Sequence, residues 1–69
     1  MAKFTVNDIA AGQKFEQIRG FTWQVARLIN FTGENVTHVQ LFNLRDPSTT
    51  KTLSAEVLLD RSRFRRVEE

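Results

Sequence analysis

Thr22-Trp23-Gln24-Val25-Ala26-Arg27-Leu28-Ile29-Asn30, followed by Phe31-Thr32-Gly33-Glu34-Asn35-Val36 and then Thr37-His38-Val39-Gln40-Leu41-Phe42-Asn43-Leu44-Arg45, is the stretch that decides the fold. Folded back about a two-residue turn at Gly33-Glu34, it meets itself like with like: Phe31 with Val36, Leu28 with Val39, Ala26 with Leu41, Val25 with Phe42 and Trp23 with Leu44. The polar residues match in the same register, Asn30 with Thr37, Arg27 with Gln40, Gln24 with Asn43 and Thr22 with Arg45, leaving Ile29 against His38 as the mixed pair. Cross-strand pairs stabilise a sheet and set its register, and Gly33 at the first turn position suits a type II′ hairpin. A long antiparallel hairpin over residues 21–45 follows; it speaks to shape and hardly to function.

The two faces of that hairpin do not stay apolar and polar along its length. Trp23, Val25, Phe42 and Leu44 share one face at the open end, whereas Ala26, Leu28, Val39 and Leu41 lie on the other face in the middle. A flat ribbon cannot bury both sets in one core. Strong coiling or a bulge, as closure of a small barrel demands, reconciles them. Near the turn, Ile29, Phe31, Val36 and His38 fall together as a candidate protein-interaction surface, since an exposed apolar patch usually marks a partner or a dimer contact. The alternative is that Phe4, Val6 and Ile9 fold over them.

Working outward, Asn7 or Asp8 can cap a single helical turn that Gly12 ends in the left-handed conformation. A short strand is expected over 13–18, broken by a turn at Arg19-Gly20. Beyond the hairpin, Asp46-Pro47-Ser48-Thr49 reads as a type I turn with proline at its second position. A strand over 50–54 follows, then one helical or 3₁₀ turn over 55–60, too short to stand alone, and a last strand over 63–67. The expected core is Phe15, Ile18, Trp23, Val25, Leu28, Val39, Leu41, Leu53, Leu58 and Phe64.

At 69 residues there is room for one domain, residues 1–69, at the small end of what folds alone. No cysteine is present and histidine occurs once, so neither a disulfide nor an ordinary zinc site is expected, and no metal or cofactor. No stretch approaches the roughly 20 apolar residues of a membrane span, and the start of the chain lacks the apolar run of a signal peptide. The expectation is a soluble cytoplasmic protein that does not contact membrane, in which the sequons at Asn30 and Asn35 are chance matches.

Gly12-Gln13-Lys14-Phe15 opening a strand, Gly20-Phe21-Thr22-Trp23-Gln24-Val25 opening the hairpin, and Leu58-Leu59-Asp60 ahead of Phe64 give the chain the layout of a small SH3-like barrel. It resembles the Tudor-like and KOW-like modules of that architecture over about its whole length. The resemblance implies an all-β fold, a small SH3-like barrel of about five short antiparallel strands with one short helical or 3₁₀ turn before the last, in a small bacterial domain. The glycine-rich loop of KOW motifs and an aromatic cage for methylated lysine are absent, as is the tyrosine-rich groove of proline-binding SH3 domains, because the chain has no tyrosine.

Ten Lys and Arg against eight Asp and Glu leave a net charge of +2. Distribution matters more than the sum: Arg61, Arg63, Arg65 and Arg66 crowd the last strand, with Lys51, Arg19 and Arg27 as possible extensions. Arginine's planar fork suits phosphate, so Arg61, Arg63, Arg65, Arg66 and Lys51 are the candidate nucleic-acid-binding residues, reading phosphates rather than bases. The competing reading is a solvated face that keeps the protein soluble, partly neutralised by Glu68-Glu69. Trp23 alternates with Phe21 and Val25 as a core strand residue does, and His38 reads as a cross-strand partner. The acids are scattered and no catalytic motif is present, so no enzyme is expected. An accessory binding module is the reading that results, its partner nucleic acid or, alternatively, a protein or a second copy of itself.

Overall fold

The computed structural model describes residues 4–30 and 36–67, so the turn expected at Gly33-Glu34, and Phe31 beside it, lie outside the described residues. A 3₁₀ turn (Val6–Asp8) leads to strands β1 (Lys14–Gln17), β2 (Thr22–Asn30), β3 (Thr37–Asn43) and β4 (Thr50–Ser54), a helical turn α1 (Ala55–Leu58), and β5 (Phe64–Val67). The five strands pair antiparallel in the order β4-β3-β2-β1-β5. The sheet curls into a half-barrel whose edges are β4 and β5. This is the all-β architecture expected, with the short helical turn placed before the last strand.

The hairpin register is as read at one end and shifted at the other. Asn30 faces Thr37, Ile29 faces His38, Leu28 faces Val39 and Arg27 faces Gln40. Then Ala26 is left without a partner, and Val25 faces Leu41, Gln24 faces Phe42 and Trp23 faces Asn43. The expected pairs Ala26 with Leu41, Val25 with Phe42 and Trp23 with Leu44 do not form. The physical reason is the face conflict seen in the sequence. One extra residue in β2 turns every side chain before it to the opposite face, which brings Trp23 and Val25 onto the same side as Leu28, Val39 and Leu41. The outward side of the hairpin then carries Gln24, Arg27 and Ile29 opposite Phe42, Gln40 and His38.

That inner side is the core. Phe15, Trp23, Val25, Val39, Leu41, Leu58 and Phe64 are buried, joined by Ile9, Ala55 and the polar end of the β3 row, Asn43. Leu53 is half-buried against them. Two expected core residues are at the surface. Ile18, 45 % exposed, belongs to the β1–β2 turn, and Leu28, 37 % exposed, lies past the end of β1, which pairs with β2 only at Thr22 to Gln24.

Local chemistry explains the connections. Asp8, at the end of the 3₁₀ turn, accepts from the Thr5 N–H at 2.8 Å and Thr5 Oγ1 at 3.1 Å, so the turn begins at Thr5, ahead of the expected Asn7 or Asp8 cap. Gly12 adopts φ +94°, left-handed as expected, in a tight turn closed by the Gln13 N–H on the Ala10 carbonyl at 3.3 Å. The Asp46–Thr49 turn is closed by the Thr49 N–H on the Asp46 carbonyl at 2.9 Å. Ser54 Oγ accepts from the Val57 N–H and starts α1, which sets Ala55 and Leu58 into the core.

Candidate functional site at the open seam

Because β4 and β5 do not pair, the half-barrel has a seam, and Lys51 stands in it. Its backbone faces the fully buried Leu41, which places its side chain on the inner side of the sheet beside Leu53. The ammonium lies 4.0 Å from the Trp23 ring centroid and 5.2 Å from that of Phe64, so one side chain of β4 reaches β2 and β5 across the gap. The aliphatic stem is covered while the charge stays at the mouth. Desolvation in this position holds the Lys51 pKa below the ordinary lysine value.

Gln17 organises the rest. Its Oε1 accepts from Trp23 Nε1 at 3.1 Å and from Lys51 Nζ at 3.2 Å. The turn that follows makes room for it. A Cβ at Gly20 would lie 3.0 Å from Gln17 Oε1 and 3.1 Å from Cδ and Cγ, so glycine there allows Gln17 to fold back over the turn. In the same turn Arg19 is held at φ +60°, a conformation that costs a non-glycine residue about 1–2 kcal/mol.

These residues bound a recess of about 500 Å³ lined by Gln17, Arg19, Lys51, Ser62, Arg63 and Phe64, among others. No carboxylate is among its lining residues. Asp60, which would otherwise be the nearest acid in sequence, is committed to its own turn. It accepts from Ser62 Oγ at 2.7 Å and the Ser62 N–H at 2.9 Å, and pairs with Arg63 Nε at 3.4 Å. The Ser62 hydroxyl and amide, with a smaller contribution from Arg63, hold its carboxyl below the usual range.

A second, larger recess of about 760 Å³ adjoins the first across Ile18 and Phe64, which line both. Its floor is apolar, with Phe4, Phe15 and Leu58, and Arg61, Arg65 and Arg66 stand around it. The Arg66 guanidinium lies 4.3 Å over the Phe4 ring, and Phe4 in turn tilts against Phe15 at 6.3 Å. Arg65 is on the other face of β5, opposite Glu16, and its Nη2 donates to Glu16 Oε1 at 2.6 Å.

The arginines expected to act together are thus distributed. Arg63 precedes β5 and, with Lys51, lines the smaller recess; Arg61, Arg65 and Arg66 line the larger. They form a band that winds around β5. Arg19, named in the sequence as an extension of the cluster, lines the smaller recess as well, whereas Gln17 was not singled out. The signal that Lys51 points inward was present in its same-face spacing from Leu53, whereas nothing in the sequence ties Gln17 to Lys51.

Of the other candidates, Ile29 and His38 face each other, half-buried, on the outward side of the hairpin, and Val36 is 43 % exposed. Phe31 lies outside the described residues. Phe4, Val6 and Ile9, the segment that offered a cover for this tip, pack on the core, Phe4 beside β1 and β5.

Among the described residues no group of three or more His, Cys, Asp or Glu is placed to hold a metal ion, and no helix is long and apolar enough to cross a membrane. Compared with protein-family models, curated proteins and solved structures, the chain matches none.

Proposed function

We propose that this domain is a non-enzymatic accessory module of SH3-like build that holds nucleic acid by its phosphates along the basic band around β5. The observation that supports this reading most is the composition of the smaller recess: Arg19, Lys51 and Arg63 line it and no acid does. Arg61 and Arg66 extend the positive surface around the adjoining recess, where Glu56 also lines the wall and Arg65 is paired with Glu16. Phosphate contacts of this kind position a polyanion without reading its sequence. The cytoplasmic setting and the bacterial origin belong to the same proposal, the former resting on the absence of cysteine.

Fluorescence anisotropy with single-stranded RNA and with duplex DNA tests it. Four phosphate contacts give a log–log salt slope of about −3 on single strands, the same for unrelated sequences, and Arg66→Ala or Arg61→Ala makes it shallower. Absence of binding to either nucleic acid at about 50 mM salt overturns the proposal.

A second reading, a protein-binding or self-associating module using Ile29, Phe31, Val36 and His38, is favoured by the exposure of Val36 and by the N-terminal segment packing on the core. It requires a dimer in sedimentation or a partner lost on Val36→Asp without unfolding. A monomer whose interactions survive that substitution removes it.

A further inference from the structure

We propose that the seam recess is a site for a phosphate monoester, with Lys51 as its central ligand and Arg19 and Arg63 as flanking donors. The argument is one of donors against acceptors. An ammonium offers three N–H donors; that of Lys51 spends one on Gln17 Oε1, and its other contacts are aromatic faces. No carboxylate of the described residues pairs with it, and none pairs with Arg19. The acceptor on Gln17 is already shared between Trp23 and Lys51, and Ser62 Oγ is turned to Asp60. What remains in the recess is a surplus of N–H donors and positive charge, with the Gln17 acceptor engaged and the Ser62 hydroxyl proton given to Asp60.

A partly desolvated cation without an acid partner is unfavourable in the empty protein and favourable once an anion enters, because attraction strengthens as water is excluded. A doubly charged phosphate, which only accepts when fully ionised, matches Lys51 and Arg19, together with the N–H groups of Arg63 beyond the one paired with Asp60, better than a carboxylate does. The recess, about 500 Å³, also has room for the group the phosphate is attached to. Arg19 strengthens the case. A long basic side chain sits where glycine fits the backbone better, φ +60°, and such strain tends to persist where a site uses the residue.

The phosphate has two sources, the end of a nucleic-acid strand or a small phosphorylated molecule. The first rests on the proposed function and the second does not. Trp23, the only tryptophan, lies under the Lys51 ammonium and reports on both. Its fluorescence and indole N–H resonance are followed while inorganic phosphate is added against chloride at matched ionic strength. Binding of one oligonucleotide bearing a 5′-phosphate or a 5′-hydroxyl is then compared.

A saturable response to phosphate, lost in Lys51→Met and weakened in Arg19→Gly, supports the site. A 5′-phosphate preference of about tenfold or more, the size of one charged hydrogen-bonding group, assigns it to strand ends. Response to inorganic phosphate with no oligonucleotide binding supports the site with a small-molecule ligand, and the nucleic-acid reading alone falls. Equal binding of both oligonucleotides with no response to phosphate overturns the site and leaves backbone contact standing. A response unchanged in both variants, or matched by chloride, also overturns it. Arg19→Gly, on an exposed turn, serves if Lys51→Met does not fold.

Discussion

Val25 lies directly across from Leu41, one residue away from where unbroken pairing of the hairpin would put it, because Ala26 is left out of the ladder. Both side chains are fully buried. This one-residue offset lets a single chain segment serve one core with residues that alternate on different faces before and after it.

Deleting Ala26 tests the offset. With the extra residue gone, Arg27 with Gln40 and Val25 with Leu41 become successive pairs of an unbroken ladder, so Trp23 and Val25 stay on the inner side and only the local bend of the bulge is lost. A cooperative unfolding transition by circular dichroism is expected to survive the deletion, at a cost of about 0.5–3 kcal/mol. A deletion variant that loses its dispersed amide resonances and its melting transition contradicts the account.

Lys51→Met separates the structural from the ligand-binding role of the seam lysine. The cation–π contact gives up about 0.5–2 kcal/mol, and removing a desolvated charge returns a similar amount, so the change in stability at neutral pH is expected to fall within about 1 kcal/mol. The pH dependence is directional. Burial lowers the folded pKa, so the folded state sheds this proton before the unfolded chain, and stability contributed here rises as pH climbs into the lysine range. Denaturant titrations of both proteins between neutral and alkaline pH check this; a parent that gains nothing relative to the variant speaks against it.

Gly20→Ala acts at a distance on the same site. The new methyl meets the Gln17 side chain at about 3.0–3.1 Å, which displaces the oxygen that Trp23 and Lys51 share. The expected result is a cost of about 1 kcal/mol, the worth of a hydrogen bond, together with a moved indole N–H resonance. An unshifted indole resonance means Gln17 does not organise the site.

Acid stability follows from two surface turns. Asp46 is held below the ordinary carboxylate range first by the Ser48 hydroxyl and then by Thr49, and Asp60 by Ser62. A depressed folded pKa contributes stability that is present above the unfolded value and lost as pH falls through the folded one. The melting temperature is therefore expected to hold above about pH 5 and to fall below about pH 4, with a shallower fall in the Asp46→Asn, Asp60→Asn double variant. Identical acid profiles for parent and variant would exclude this role.

How far the sequence could be read depends on what kind of information each part required. Thr50–Ser54 and the half of the hairpin between Arg27 and Asn30 were legible because alternation and turn chemistry are local. A bulge was one of two ways the sequence offered to reconcile the faces, but its place at Ala26 was not legible, because Ala26 with Leu41 and Val25 with Phe42 are as compatible as the pairs that form. Ile18 and Leu28 were read as core from their chemistry, but their exposure is set by where β1 starts and stops. In the site, the basic residues were visible in sequence, while their division between two recesses depends on the curl of the sheet. Gln17, neutral and unremarkable in sequence, gains its role from a hydrogen bond to Lys51, 34 positions away.

The unpaired edges of the half-barrel have a mechanical consequence. β5 hangs on the rest of the sheet through β1 alone, and β1 offers only Lys14 to Gln17 to hold it. The two ends of the sheet are joined across the seam by a side chain where a closed barrel would have a backbone ladder. An anion bridging Lys51 on β4 and Arg63 at the entrance to β5 would act as a removable rivet between those edges. Occupancy would then raise the melting temperature of the whole domain by mass action, so the fold and its ligand would tighten together.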